Sequence, residues 1–201
     1  MEYISTRNSS KIFNFKEVFI KGLADDGGLF IPKQLNKYSR AEIDSFKNLS
    51  YQDLAKKIIF PFIGDFMSEN DLSKIIDKSY SVFREENVVK LIKVGDRSVL
   101  ELFHGPTLAF KDIAMQVIGL MYEALNLNKK KINIIVATSG DTGSAAIAAL
   151  KEKKNIRLID ASNYTLKDEL KFTSNNDEIL VQSEDANTFN IKDFKVVSKR
   201  K

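Results

Sequence analysis

Apolar residues recur at helical spacing through the first part of the chain. They stand three or four positions apart in Phe15–Leu23 and in Tyr51–Phe66, where Leu54, Ile58 and Phe62 share a face. Asn70–Phe83 repeats the pattern with Leu72, Ile75, Ile76, Tyr80 and Phe83. Between the first two helices, Asp25–Gly28 (DDGG) is a turn signal, because paired glycines supply positive φ. Leu29–Pro32 follows it as a short extended piece. Glu85–Asp96 is polar and mixed, with a turn at Gly95–Asp96, and marks a domain boundary. Residues 1–85 therefore read as a helical domain and 86–201 as a second one.

From Ser98 the pattern changes. Val99–Phe103 is a strand candidate, Gly105–Pro106–Thr107 breaks it, and a long apolar helix is expected from Leu108 to Leu125. Ile132–Val136 is apolar on both faces, as a strand buried within a parallel sheet should be. A loop, an alanine-rich helix over Gly143–Lys153 and a strand at Ile156–Ile159 complete one strand–helix–strand unit, expected to cross over right-handed. Thr165–Phe172 reads as a helix and Ile179–Gln182 as a strand; beyond Asp185 the chain is polar and reads as a frayed tail. The fold class is α/β with parallel strands, preceded by a helical domain.

Composition narrows the chemistry. With 201 residues and 43% hydrophobic content, the chain can bury a sizeable core. The net charge of +4 comes from lysines scattered among acids, which points to an acidic small molecule and away from nucleic acid, whose footprint needs clustered bases. The run Lys129–Lys131 reads as a solvated turn. There is no cysteine and His104 is the only histidine, so neither a thiolate site nor a multi-histidine metal centre is available, and no metal is expected. MEYISTRNSSKIF lacks the apolar core of a secretory signal. Ile58–Ile63 is interrupted by Pro61 and too short for a bilayer. A cytoplasmic chain with no membrane partner is the expectation.

Two segments carry candidate chemistry. Glu101–Asp112 (ELFHGPTLAFKD) places Lys111 at a helix start among Leu108, Ala109, Phe110, Ile113 and Ala114. An apolar shell and the positive end of a helix dipole both disfavour the ammonium and favour a nucleophilic amine. Taken alone, the residue reads better as a lysine snorkelling from an amphipathic helix, with Asp112 as its surface partner. Ala137–Ala146 (ATSGDTGSAA) runs from a strand into a helix, where backbone N–H groups and the dipole favour an anion. Gly140 and Gly143 allow close approach, and Ser139 and Thr142 add hydroxyls. The same loop reads as an ordinary N-cap supplied by Ser139, Asp141 or Thr142. It contains neither a Walker-type Gly-Lys-[Ser/Thr] nor a G-x-G-x-x-G.

Taken in order, YISTR (Tyr3–Arg7), GLADDGGLFIP (Gly22–Pro32), SYQDL (Ser50–Leu54), ELFHGPTLAFKD and ATSGDTGSAA resemble threonine synthase, a pyridoxal-phosphate-dependent lyase of fold-type II. The resemblance covers about Tyr3–Leu150, and Asn8 departs from it where the family usually has glycine. It implies pyridoxal 5'-phosphate as cofactor and O-phosphohomoserine as the small-molecule substrate, converted with water to L-threonine and phosphate in threonine biosynthesis. It also implies that Lys111 is the catalytic residue and forms the Schiff base. Ser139, Gly140, Asp141 and Thr142 would hold the substrate's α-carboxylate, with Asp141 also along the cofactor's hydroxyl edge. His104 would be a hydrogen-bonded positioning residue.

After about Asn155 the family's motifs stop. Residues 144–201 contain no glycine and no proline, so the glycine-rich cup the family uses for the cofactor phosphate is not among them. The expectation is a threonine synthase N-terminal part in a truncated chain, inactive alone and apt to form an oligomer or to seek a complementing fragment. The alternatives are a non-catalytic remnant that keeps the anion loop, or another fold-type II enzyme such as a threonine dehydratase or a sulfhydrylase. GLADDGGLFIP speaks against the last.

Overall fold

A computed structural model describes residues 1–64, 66–125, 132–136, 140–151, 153, 155–160 and 179–182. The chain divides into two compact units, Met1–Gly105 and Pro106–Lys201.

In the first unit, the helices begin where a polar side chain can satisfy the opening N–H groups. Helix α1 (Phe15–Lys21) and helix α2 (Arg40–Ser45) each start in a reciprocal capping box, Asn14 with Glu17 and Ser39 with Glu42. Helix α3 (Tyr51–Ile63) and helix α4 (Glu69–Tyr80) are capped by Ser50 and Ser68. Pro61 falls within the last turn of α3, and the Tyr3 hydroxyl donates to the Phe62 carbonyl at 2.7 Å. Ile63, Leu72, Ile76 and Tyr80 are buried where α3 and α4 pack together. A second small core gathers Tyr3, Phe13 and Val18, with Met1, Phe15 and Phe30 against it.

Two antiparallel strand pairs complete the unit. Strand β1 (Tyr3–Ser5) pairs with β2 (Phe30–Pro32) in the register Tyr3↔Pro32. Beyond them the Ser-Thr-Arg and Asp-Asp-Gly-Gly segments are knotted together. Asp26 Oδ1 accepts from Ser5 Oγ and from the Gly28 N–H, both at 2.8 Å, and Arg7 Nη1 donates to the Asp26 carbonyl at 3.0 Å. The Gly28 N–H, followed by the Ser5 hydroxyl, holds the Asp26 carboxyl below the usual carboxylate range. A Cβ on Gly28 would stand 2.1 Å from Ser5 Oγ, so this turn admits only glycine there.

Strand β3 (Lys90–Val94) and strand β4 (Arg97–Glu101) form a hairpin, with Leu91 opposite Leu100 and Ile92 opposite Val99. The expected strand Val99–Phe103 is thus two residues earlier, and its partner lies in the stretch that polar composition marked as a boundary. Leu91, Val94, Val99 and Leu100 are all exposed, so neither face shows the alternation that would announce a strand.

The second unit has helix α5 (Asp112–Ala124), strand β5 (Ile132–Val136), helix α6 (Asp141–Leu150) and strands β6 (Ile156–Asp160) and β7 (Ile179–Gln182). The sheet order is β6-β5-β7 and both pairings are parallel, Ile134 standing opposite Leu158 and Leu180. Ile132, Ile134, Ile135 and Val136 are all buried, as their two-sided apolar pattern requires. The expected helix at Thr165–Phe172 and the tail beyond Asp185 lie outside the described residues.

Helices α5 and α6 touch at backbone distance. A Cβ on Gly119 would come within 2.7 Å of the Ala149 carbonyl oxygen, so glycine is what lets the two approach. Asn155 fastens the far end. Its Nδ2, with two N–H donors, lies within hydrogen-bonding distance of three carbonyls at the end of α5, those of Tyr122, Glu123 and Leu125, at 2.9, 3.1 and 3.1 Å.

Candidate active site

Lys111 is the last residue before α5, in right-handed helical conformation, and half-buried. Helix α5 begins there and not at Leu108, because Leu108 adopts a φ of +64°, in the left-handed region. The turns that follow close on themselves: the Asp112 N–H donates to the Ala109 carbonyl at 3.0 Å and the Ile113 N–H to that of Phe110 at 3.2 Å. Ala109 is buried while Leu108 and Phe110 are exposed, so the apolar shell expected around the lysine is open on one side. Lys111 Nζ sits 5.1 Å from the centre of the Phe110 ring, a cation–π distance.

Asp112 is not the surface partner that its position beside Lys111 suggested. Its side chain is fully buried and turns back on Thr107, taking the Thr107 N–H on one carboxylate oxygen and the Thr107 hydroxyl on the other, each at 2.8 Å. The sequence signal for this pairing is a threonine followed five residues later by an acid at the first helical position.

In the second segment, Ser139 lies outside the described residues. Gly140 is the N-cap of α6 and is exposed; it has no side chain with which to cap. Asp141 and Thr142 are the first two helical residues, exposed and half-buried, so the capping role considered for either is replaced by a place inside the helix. Gly143 is buried, and the Ser144 N–H donates to the Gly140 carbonyl at 3.2 Å.

The relation between the two segments follows from the helix contact. Ala149 packs on Gly119, and beyond it Lys153 pairs with Glu123 at 3.5 Å while Asn155 reaches the carbonyls from Tyr122 to Leu125. The chain therefore advances in the same direction along both helices. Gly119 lies eight residues after Lys111 and Ala149 nine after Gly140. At about 1.5 Å per residue the two helix heads stand about 12 and about 13.5 Å from the crossing point, nearly level. Helix α6 also starts beyond the carboxyl end of β5, where open parallel sheets bind their ligands. Two packed helices thus begin at similar height, one at a primary amine and the other with its own positive end, and such donors fit an aldehyde carrying a negative charge.

His104 belongs to the first unit. Its Nε2 is 3.0 Å from Glu101 Oε2, both side chains are mostly buried, and its ring lies 4.8 Å from that of Phe103. Its carbonyl accepts from the Arg84 N–H at 2.9 Å. Among the described residues no cluster of histidine, aspartate and glutamate could hold a metal ion, and no helix is long and apolar enough to cross a membrane.

A family model described as "Threonine synthase N terminus" matches residues 2–80, and one described as "AICARFT/IMPCHase bienzyme" matches residues 115–201. A threonine synthase from Pseudomonas aeruginosa is 43% identical over 158 residues, 78% of this chain and 34% of its own length. The threonine synthase of Saccharomyces cerevisiae is 44% identical over 171 residues, 77% of this chain and 33% of its own length. Coverage of that extent must run into the stretch matched by the second model. Among solved structures, a pyridoxal-phosphate-bound threonine synthase from Brucella melitensis superposes with a TM-score of 0.75 at 36% identity, over 80% of this chain and 35% of its own. The chain spans about a third of the length of the curated relatives it matches.

Proposed function

The chain belongs, by its N-terminal part, to the threonine synthase family, and on that premise we propose that its second unit carries the amine and substrate-carboxylate side of a pyridoxal-phosphate lyase site. The reaction would convert O-phosphohomoserine and water to L-threonine and phosphate. The observation that supports this most is the level placement of Lys111 and the head of α6, which no capping or snorkelling role requires.

Each residue has a part in this reading. The Lys111 amine would hold the cofactor through its aldehyde and, once released, take and return protons on the substrate carbons. When bound, pyridoxal phosphate supplies an electron sink for charge developing beside the substrate nitrogen. The α-carboxylate would lie at the start of α6, where Gly140 lets the backbone come close and the first N–H groups of the helix point outward. Ser139 and Thr142 add hydroxyl donors to the same carboxylate, and Asp141 faces the cofactor's hydroxyl edge. His104, held by Glu101, would position neighbouring backbone and would not move protons itself.

Incubating the purified chain with pyridoxal phosphate, reducing with borohydride and mapping peptides tests the assignment. The label should fall on Lys111 and decrease when O-phosphohomoserine is present. Label spread evenly over surface lysines would defeat it. A second reading, an anion-binding module without turnover, draws support from the absence of glycine after Gly143. Retained labelling with no phosphate release would favour it.

A further inference from the structure

Lys111 is followed by a carboxylate with no contact to solvent, and that carboxylate does not face the amine. Asp112 closes a ring of six residues by placing both oxygens on Thr107, one on its N–H and one on its hydroxyl. Inside that ring stands Leu108 at φ +64°, a conformation that a side-chain-bearing residue rarely adopts and that persists only where its surroundings impose it. Leu108 is itself 51% exposed, so packing does not impose it. What remains is the clamp across the ring and the closures Ala109–Asp112 and Phe110–Ile113. Lys111 is the last link of the ring and the first step of α5, its carbonyl accepting from the Met115 N–H at 2.9 Å.

We propose that Asp112 is a positioning residue: through Thr107 it holds the left-handed turn at Leu108 closed and thereby fixes the backbone from which the Lys111 amine projects. The inference rests on the reading of Lys111 as the aldehyde-binding amine. A simple helix cap would need one oxygen on the backbone. The second oxygen on the Thr107 hydroxyl, from a carboxylate that is itself fully buried, adds a directional constraint that a cap does not require. Because the turn is strained, it relaxes when the clamp is opened, and the amine loses its fixed direction while the rest of the unit keeps its sheet and helices.

The test uses the full chain and compares T107V, which removes the hydroxyl but keeps the N–H, with T107S, which restores it. Labelling of Lys111 is measured as the rate of borohydride-trapped pyridoxal phosphate incorporation, and in parallel as its rate of acetylation by acetic anhydride without cofactor, with circular dichroism recording the fold. The expected result is a fall of about ten- to a hundredfold in cofactor incorporation for T107V, recovery in T107S, and little change in acetylation, since orientation and not access has been lost. If T107V unfolds, T107A, which also lacks the hydroxyl and keeps the N–H, replaces it, with the same fall expected. Incorporation at the unaltered rate in a folded variant overturns the clamp while leaving the role of Lys111 intact. Failure of the unaltered chain to label Lys111 selectively overturns that role, and the clamp with it.

Discussion

Replacing Gly119 by alanine sets two effects of known sign against each other. Alanine is the better helix former, worth up to about 1 kcal/mol over glycine at an interior helical position. Against this, the new Cβ would stand 2.7 Å from the Ala149 carbonyl oxygen, 3.2 Å from its carbonyl carbon and 3.3 Å from its methyl. The first distance is one that Cβ atoms do not tolerate, and the neighbour is backbone, so α6 as a whole must move. Forcing an extra methyl into packed surroundings costs about 1–3 kcal/mol, leaving G119A less stable by up to about 2 kcal/mol after the helix gain is subtracted. Urea unfolding of the full chain followed by circular dichroism measures this. A149G in the same background identifies the obstacle: it removes the methyl but not the carbonyl, and so should restore little. G119A at or above the parent stability, or full rescue by A149G, would refute the backbone contact between α5 and α6 and with it the level placement of Lys111 and Gly140.

Three further outcomes are expected. N155A removes a donor that the carbonyls of Tyr122, Glu123 and Leu125 share, and should cost about 0.5–1.5 kcal/mol in urea unfolding; no loss would deny the side chain its fastening role. The Asp26 carboxyl is held low by the Gly28 N–H, so its contribution is present above the unfolded value of about 3.9 and is lost as pH falls through the folded one. The gap in urea midpoint between the parent and D26N should therefore close on acidification below about pH 4, and a gap that widens there would reverse the sign. Phosphate release from O-phosphohomoserine by the 201-residue chain with pyridoxal phosphate should be very slow, because orienting a bound reactant is worth roughly 7–11 kcal/mol of barrier and residues 144–201 offer no glycine for a phosphate cup. Robust turnover by a monodisperse sample would show that those residues hold the cofactor in another way.

Local signals carried α1, α3, α4, α6 and the parallel strands, while the short α2 carries no apolar repeat that would announce it. Ser50 ahead of Leu54, Ile58 and Phe62 announces α3, and the run Ile132–Val136 announces a strand flanked on both sides. Ile179–Gln182 reads as a strand from its apolar run alone, and it pairs with β5. What escaped depends on partners distant in sequence or on exposure. Lys90–Val94 alternates no polarity because both faces of its hairpin meet solvent. The four-residue delay in the start of α5 comes from the turn at Leu108, which no apolar count anticipates. Adjacency pairs Asp112 with Lys111, yet consecutive helical residues point about 100° apart, and its partner is Thr107. In the candidate site, Lys111 and Gly140 are legible as residue types, while their similar height follows only from Gly119 and Asn155.

Asn155 also sets an order of events during synthesis. The carbonyls it fastens belong to residues 30, 32 and 33 positions earlier, so α5 leaves the ribosome without this fastening and waits for β5, α6 and the start of β6 to be made. Chains elongate at roughly 5–20 residues per second, which makes that wait a matter of seconds. Throughout it the apolar face of α5, with Val117, Leu120 and Met121, has neither the sheet nor α6 to cover it. The second unit thus closes late and all at once, and a nascent chain halted between Leu125 and Asn155 is the form a chaperone would meet.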